Sequence, residues 1–596
     1  MDNKKREEIN DEYKWDLTSL FNNEEEFISS FEKSDELVNK VLSYQGHIMS
    51  NSESLLNFYK DYEVMDRLLD KIIIYPRLLC DTDTTNSKYQ ELKMKSEKYG
   101  EEVSDKLSFI KSEMLDIDYD KVLEFISSEP KLEEYRHDLE EMFRYKEHIL
   151  SKELESIITK ANNTFGTGYE VFYNIDNADI NLGIIKDEDG NEVELTNSNY
   201  IKFMNSKDRN VRKNAFTNMY NYYKNLKNTI AASLKGNIKE NFFESDVHKF
   251  NSPLEESLFS DNISTDVYDS LISAIHDGLP IMYDYMDLRK KVLGLDEMHM
   301  YDIYVDIIDS VDKKIPFEEG KKILFEALAP LGEKYLKDLE KPFNEHWIDI
   351  YPSKGKKSGA YSWGCYDSYP YLLLNYNDTT DSVSTMAHEL GHSMHSYYSN
   401  NNQTYINHNY PIFLAEIAST VNEVLLNDYL YKNANSKEEK ILYLTEFLDK
   451  VRTTIYRQTM FAEFEKIMHD KYSNGIPLTE ENFSSTYYEL NKLYYGDNVV
   501  SDDDIRYEWS RIPHFYTSFY VYKYATGLSS AIAIASEILK GNEQARDAYL
   551  ELLESGGSDY PLELLKRAGV DMTTPMPVNK ALRMFNDKLQ ELKKLV

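Results

Sequence analysis

Apolar residues recur at helical spacing over most of this chain. Val122, Leu123 and Ile126 form one such stripe. Ile149 and Leu150, followed by Leu154, Ile157 and Ile158, form another. Spacings of three and four place these side chains on one helix face, so the first part of the chain reads as a set of amphipathic helices. The pattern breaks between Thr164 and Tyr200. Phe165-Gly166-Thr167-Gly168 interrupts a helix, and Gly183 to Leu195 reads as a hairpin around Asp189-Gly190. Helical spacing resumes at Val211 and runs through Ala215, Met219, Tyr222, Leu226 and Ile230. This places a boundary near residue 197, between an N-terminal helical lobe over 1–196 and a second domain over 197–596. Tyr371 to Tyr376 contains Leu372-Leu373-Leu374, a short run that suits a buried strand. Thr379 to Ser382 then offers helix N-caps before Val383, Met386, Ala387, Leu390 and Met394. Leu414, Ile417, Val421, Val424 and Leu425 mark the next helix. The fold expected is mainly α, with a small sheet just before the helix that starts near residue 380.

Composition narrows the class. At 596 residues the chain exceeds one hydrophobic core. Gly (22) and Pro (15) are few, which favours helix over an all-β fold. No apolar run has the length of a membrane span. The opening residues, Met1 to Asn10, lack the apolar stretch of a secretory signal. Only Cys80 and Cys365 are present, far apart, so a reducing compartment is expected, with the cytoplasm as the default location. The net charge of −36 opposes binding to nucleic acid or an anionic membrane; it speaks first to solubility, with a preference for cationic peptides entering a cleft as the alternative.

The chemistry concentrates at His388-Glu389-Leu390-Gly391-His392. On a helix, residues four apart share a face, so His388 and His392 can present two imidazoles to one metal ion. Imidazole suits Zn²⁺, and Glu389 lies beside the same face, placed as general base for a zinc-bound water rather than as a ligand. Two histidines and a glutamate at this spacing arise by chance roughly once in 40 chains of this composition. A catalytic zinc site needs a third protein ligand. A third histidine six residues after the second is ruled out, because Tyr398 stands there and His395 replaces the usual preceding glycine. A glutamate on the next helix is the other solution. Glu416 lies 24 residues past His392, far enough for the first helix to end, a loop through Asn400 to Asn402, and a return. Glu423 is the rival, with an alternative role behind the site as acceptor from a ligand histidine.

The segments Gly391-His392-Ser393-Met394-His395 and Phe413-Leu414-Ala415-Glu416-Ile417-Ala418-Ser419-Thr420 resemble the thimet-oligopeptidase-like zinc peptidases, and among them the oligoendopeptidase F branch. Ile512 to Gly527, Val211 to Phe216 and Tyr371 to Tyr376 agree with that pattern. The resemblance implies two helical lobes that enclose a channel for short peptides and exclude folded proteins. It implies a metalloendopeptidase that cleaves internal bonds. It implies that a histidine and a tyrosine of the late block stabilise the oxyanion, carried over as His514 and Tyr522, with Tyr516 and Tyr520 as alternatives. It also supports main-chain pairing of an extended peptide with the strand near Leu372 to Asn375. Two rival functions remain. A dipeptidyl carboxypeptidase of the same clan needs a cation for the peptide's C-terminal carboxylate, and Arg506 and Arg511 are candidates. A non-catalytic peptide-binding protein would be signalled by loss of Glu389 or a ligand, and none is lost.

Overall fold

A computed structural model describes residues 4–308 and 313–596. Helices dominate, and the strands are short. The chain divides into two compact units, each built from three separate segments. The first gathers Met1–Glu147, Lys313–Tyr429 and Ile534–Gly569; the second gathers His148–Asp312, Leu430–Ala533 and Val570–Val596. The boundary expected near residue 197 therefore falls inside the second unit. Helices pair by contacts between residues distant in sequence, and a change of local pattern does not report such pairing.

In the first unit, helices Glu24–Leu42, Ser52–Thr82 and Ser87–Leu107 pack side by side. Trp15, Phe21, Phe27, Ile72 and Tyr75 form a core with Tyr371 and Leu373, which ties these helices to a three-stranded sheet. In that sheet Tyr371–Leu373 is central. It pairs parallel with Ile348–Asp349 and antiparallel with Tyr361–Trp363, in the register Ser362 opposite Leu372. Both sides of the central strand are thus occupied. The strand expected to pair with a peptide cannot do so, and Tyr361–Trp363 holds the edge instead.

In the second unit, the 39-residue helix Arg209–Val247 buries Val211, Ala215, Phe216, Met219, Tyr220, Tyr223 and Ile230. Helices Thr265–Val292, Arg457–Ser473 and Glu480–Tyr495 pack against one another. The expected hairpin forms from Ile184–Lys186 and Glu192–Glu194, with Gly190 at φ +82° in the turn, a left-handed conformation glycine adopts without a Cβ clash. Helix Lys152–Phe165 forms as well. Its stripe stays open, however, with Leu154 50 % and Ile157 60 % exposed. Periodicity shows that a helix has an apolar face, not that another element covers it.

Candidate metal centre

Two crossing helices of the first unit build the site. The metal helix, Thr380–Asn402, starts at Thr379, whose hydroxyl accepts from the Ser382 N–H at 3.1 Å. It runs through Asn402, and Gln403 to Pro411 lead into the return helix, Ile412–Lys432. The helices cross at Gly391. A Cβ there would lie 2.5 Å from Ser419 Cα, 2.7 Å from Ser419 N and 2.8 Å from the Ala418 carbonyl oxygen. Only glycine permits this approach. Buried Ser419 faces the crossing from the return helix, and Asn422 Nδ2 donates to the Ala387 carbonyl at 3.0 Å.

The crossing brings three donor atoms together. His388 Nε2 and His392 Nε2 lie 3.1 Å apart, and Glu416 Oε2 lies 3.6 Å from the first and 3.8 Å from the second. A tetrahedral ion with bonds of 2.0–2.2 Å sets its ligand atoms about 3.3–3.6 Å apart, so this donor set fits a zinc-sized cation. It leaves one position for a non-protein ligand. The far side of each imidazole is also held. His388 Nδ1 pairs with Glu423 Oε1 at 3.0 Å, and the His392 ring donates to the Ala415 carbonyl. Such partners fix the tautomer that turns Nε2 toward a metal. Burial, followed by the neighbouring His388, pushes the His392 imidazole down to about 4, so it is neutral, the form that binds a metal.

Glu389 is buried beside this cluster and is not one of its three donors. Burial, with Glu416 adding repulsion, pushes its carboxyl up to about 7, while His388 and the Ser362 main-chain N–H pull the other way. Ser362 belongs to the edge strand, so the sheet edge reaches the carboxylate. His395 is fully buried and stacks on Tyr410 with ring centroids 3.6 Å apart. Tyr398 donates to Asp338 Oδ2 at 3.0 Å. Neither belongs to the donor cluster.

The profile of Peptidase family M3 matches residues 202–584, and that of the Oligopeptidase F N-terminal domain matches 113–181. The chain belongs to peptidase family M3. As a member of that metallopeptidase family, it is a peptidase. It is 41 % identical to Oligopeptidase PepF of Bacillus subtilis over 99 % of this chain and 88 % of that protein. It is 39 % identical to Group B oligopeptidase PepB of Streptococcus agalactiae over 99 % of this chain and 98 % of that protein. Among solved structures, oligoendopeptidase-F from Enterococcus faecium superposes with a TM-score of 0.72 at 34 % identity, covering 96 % of this chain and 99 % of that one. A putative peptidase from Chlamydophila abortus gives 0.94 at 36 % identity, covering 100 % of both. No helix among the described residues of this M3 peptidase is long and apolar enough to cross a membrane.

The late block lies in the second unit. His514 sits in the short turn Pro513–Tyr516, half-buried, and burial followed by the Arg457 charge lowers its pKa. The tyrosine beside it is Tyr524, whose hydroxyl lies 3.4 Å from His514 Nε2. Tyr520 packs edge-on against Tyr524, with ring centroids 5.4 Å apart. Tyr522, expected as the oxyanion tyrosine, turns the other way. It is fully buried, with its ring 5.3 Å from that of Tyr268. The helix begins at Tyr522, and Tyr524 in its first turn is the tyrosine that faces His514. Tyr516 is tied down by Ser233 at 2.9 Å and stacks on Phe172. Arg506 pairs with Asp503 at 3.3 Å, and Arg511 lies against the Tyr200 ring with Glu508 balancing its charge. Sequence reasoning missed the Ser362 and Ala415 contacts and the place of Tyr524.

Proposed function

We propose that this chain is a zinc endopeptidase that hydrolyses internal bonds of short, extended peptides. The convergence of His388 Nε2, His392 Nε2 and Glu416 Oε2, with Glu389 adjacent and outside the set, carries this reading. Zinc held by these three residues supplies Lewis acidity toward water and the scissile carbonyl. Glu389 takes the proton of the attacking water and delivers it to the leaving amine, a role suited to a carboxyl held near neutral pH. Glu423 and the Ala415 carbonyl keep both imidazoles oriented. His514 and Tyr524 supply hydrogen bonds to the oxyanion, with Tyr524 taking the part first assigned to Tyr522. The edge strand Tyr361–Trp363 receives the extended substrate by main-chain pairing, and its Ser362 N–H already reaches Glu389. The names of the relatives, oligopeptidase and oligoendopeptidase, support the choice of short peptides. Cys80 and Cys365, both buried and unlinked, agree with a cytoplasmic setting.

The exopeptidase reading needs a cation for the substrate's carboxylate, and both arginines considered for it already face acidic partners. The test is digestion of a peptide of about ten residues with both ends blocked, read by mass. Internal cleavage is expected. Cleavage only of peptides with a free C-terminus would replace this reading with the exopeptidase one.

A further inference from the structure

Phe519 has φ +57°, a conformation that crowds any residue carrying a Cβ. The other described non-glycine residues with positive φ are Lys249, Asn262, His346 and Asp378, all polar. Phe519 is instead a buried hydrophobe, with its ring 4.5 Å from His469 and 5.8 Å from Tyr268. A bulky residue stays in such a well only where its surroundings hold it there. It sits midway between His514 and Tyr524. Main-chain bonds link the two: Thr517 N–H to the His514 carbonyl at 2.9 Å, Tyr520 N–H to Thr517 at 3.3 Å, and Tyr524 N–H to Val521 at 3.2 Å. The angle at Phe519 therefore sets where the Tyr524 hydroxyl falls relative to His514.

Two anchors hold the turn. Glu465, on the helix Arg457–Ser473, accepts from the Phe519 N–H through Oε1 at 3.1 Å. Its carboxyl is buried, and Oε2 has no partner among the described residues. On the other side Asn241 donates to Ser518 Oγ, and its Nδ2 lies 3.1 Å from His469 Nε2; His469 in turn is tied through Nδ1 to the Glu465 carbonyl at 2.8 Å. Ser257 Oγ donates to the Ser518 carbonyl at 3.1 Å. All of these residues belong to the second unit. A buried carboxyl on a fully packed helix is an expensive way to satisfy one amide, and none of the chemistry above uses it.

We propose that Glu465 is a positioning residue for peptide hydrolysis, which holds Phe519 in its left-handed conformation and so keeps Tyr524 beside His514. The inference rests on the reading that His514 and Tyr524 serve the reaction. Burial keeps the Glu465 carboxyl protonated well above the ordinary carboxylate range, so it acts as a neutral acceptor rather than as a charge. Glutamine reproduces that acceptor, and leucine removes it.

The test compares Glu465→Gln and Glu465→Leu by steady-state kinetics on a blocked peptide and by amide exchange, read by mass on a fragment covering 515–524. Glu465→Leu should lower kcat by roughly 10- to 100-fold with KM nearly unchanged, and should speed exchange in that fragment. Glu465→Gln should restore both. If Glu465→Leu does not fold, Ser518→Ala removes the second anchor and should move both readouts the same way. Equal losses in Gln and Leu would overturn the proposal, because charge would then matter rather than the acceptor. Unchanged exchange in Glu465→Leu would overturn it as well, and so would faster exchange with kcat intact while Tyr524→Phe is slow. Were Tyr524→Phe and His514→Ala both fully active, the oxyanion reading would fail, and a selective rise in exchange would still identify Glu465 as the anchor of the turn.

Discussion

Gly391→Ala should damage the metal site although Gly391 is itself neither ligand nor base. In an exposed helix, glycine to alanine stabilises by roughly 0.5–1 kcal/mol. Here the new methyl would meet Ser419 Cα at 2.5 Å and Ser419 N at 2.7 Å. Comfortable carbon contacts begin at about 3.5 Å, so the helices must part by about 1 Å. The obstructing atoms are main chain in the middle of a helix, which cannot rotate away as a side chain would. Overpacking of this kind costs about 1–3 kcal/mol, which exceeds the propensity gain, so the net sign is destabilising. The functional consequence is larger. Glu416 lies three residues before Ser419 and moves with it, whereas metal–ligand distances tolerate only about 0.2 Å. A shift of about 1 Å against His388 and His392 removes the third donor from bonding range. Zinc affinity should fall by at least the 10- to 100-fold typical of losing a supporting contact. Competition against a chromophoric chelator measures the affinity, and urea melts of metal-free protein measure the packing cost separately. Wild-type zinc affinity in Gly391→Ala would show that the crossing is loose and that glycine is there for another reason.

Metal analysis of purified protein should find about one zinc per chain, bound less tightly in Glu416→Ala; loss in Glu423→Ala but not in Glu416→Ala would exchange the roles of the two glutamates. Glu389→Gln should keep its zinc while turnover falls roughly 10²- to 10⁴-fold, and parallel loss of metal would make Glu389 a ligand. Tyr524→Phe should lower kcat roughly 10²- to 10³-fold with KM little changed, and Tyr522→Phe should leave kcat near wild type; the reverse order would restore Tyr522 to the oxyanion role. Burial, reinforced by Asp66, pushes Asp70 up to about 6, with Tyr405 bonded to both carboxylates. Because the folded state holds this proton more tightly, the contribution is fully present below about pH 4 and is lost as pH rises through about 6, by up to about 3 kcal/mol. Asp70→Asn should flatten that part of the stability profile, and an unchanged profile would place the proton elsewhere.

The donor cluster was legible because its information is local. A spacing of four fixes His388 and His392 on one face whatever surrounds the helix, and an apolar stripe fixes which way the next helix turns Glu416. That Glu423 lies on the same face followed from the same stripe, two turns along, and of the two positions open to it the structure shows the one beside His388 Nδ1. The sheet was half legible. Leu372-Leu373-Leu374 announces burial, but whether a strand is central depends on partners, and Ile348–Asp349 and Tyr361–Trp363 carry no signal that they pair with it. The division into compact units was not legible, since each unit recruits three distant segments. That Tyr524 rather than Tyr522 stands beside His514 was not legible, for a specific reason. Among 48 tyrosines, residue type decides nothing, and the phase of the helix after His514 is set by the left-handed Phe519.

The charge of the site follows from the same geometry. The protein carries a net −36, yet burial keeps the His392 imidazole at the donor cluster neutral rather than protonated by its acidic surroundings. A divalent cation held as proposed by two imidazoles and one carboxylate would keep a single positive charge in excess. Glu423, hydrogen-bonded through His388, stands close enough to balance that charge without taking a coordination position. Glu389 can then be left uncommitted to the metal. Its carboxyl is held by the Ser362 N–H of the edge strand and by burial, so it is oriented from the side on which an extended peptide would lie. In the proposed mechanism ligand, charge balance and base would come from three carboxylates in one unit, and what separates them is position: Glu416 on the open face of the return helix, Glu423 two turns behind it, and Glu389 one residue along the metal helix from His388.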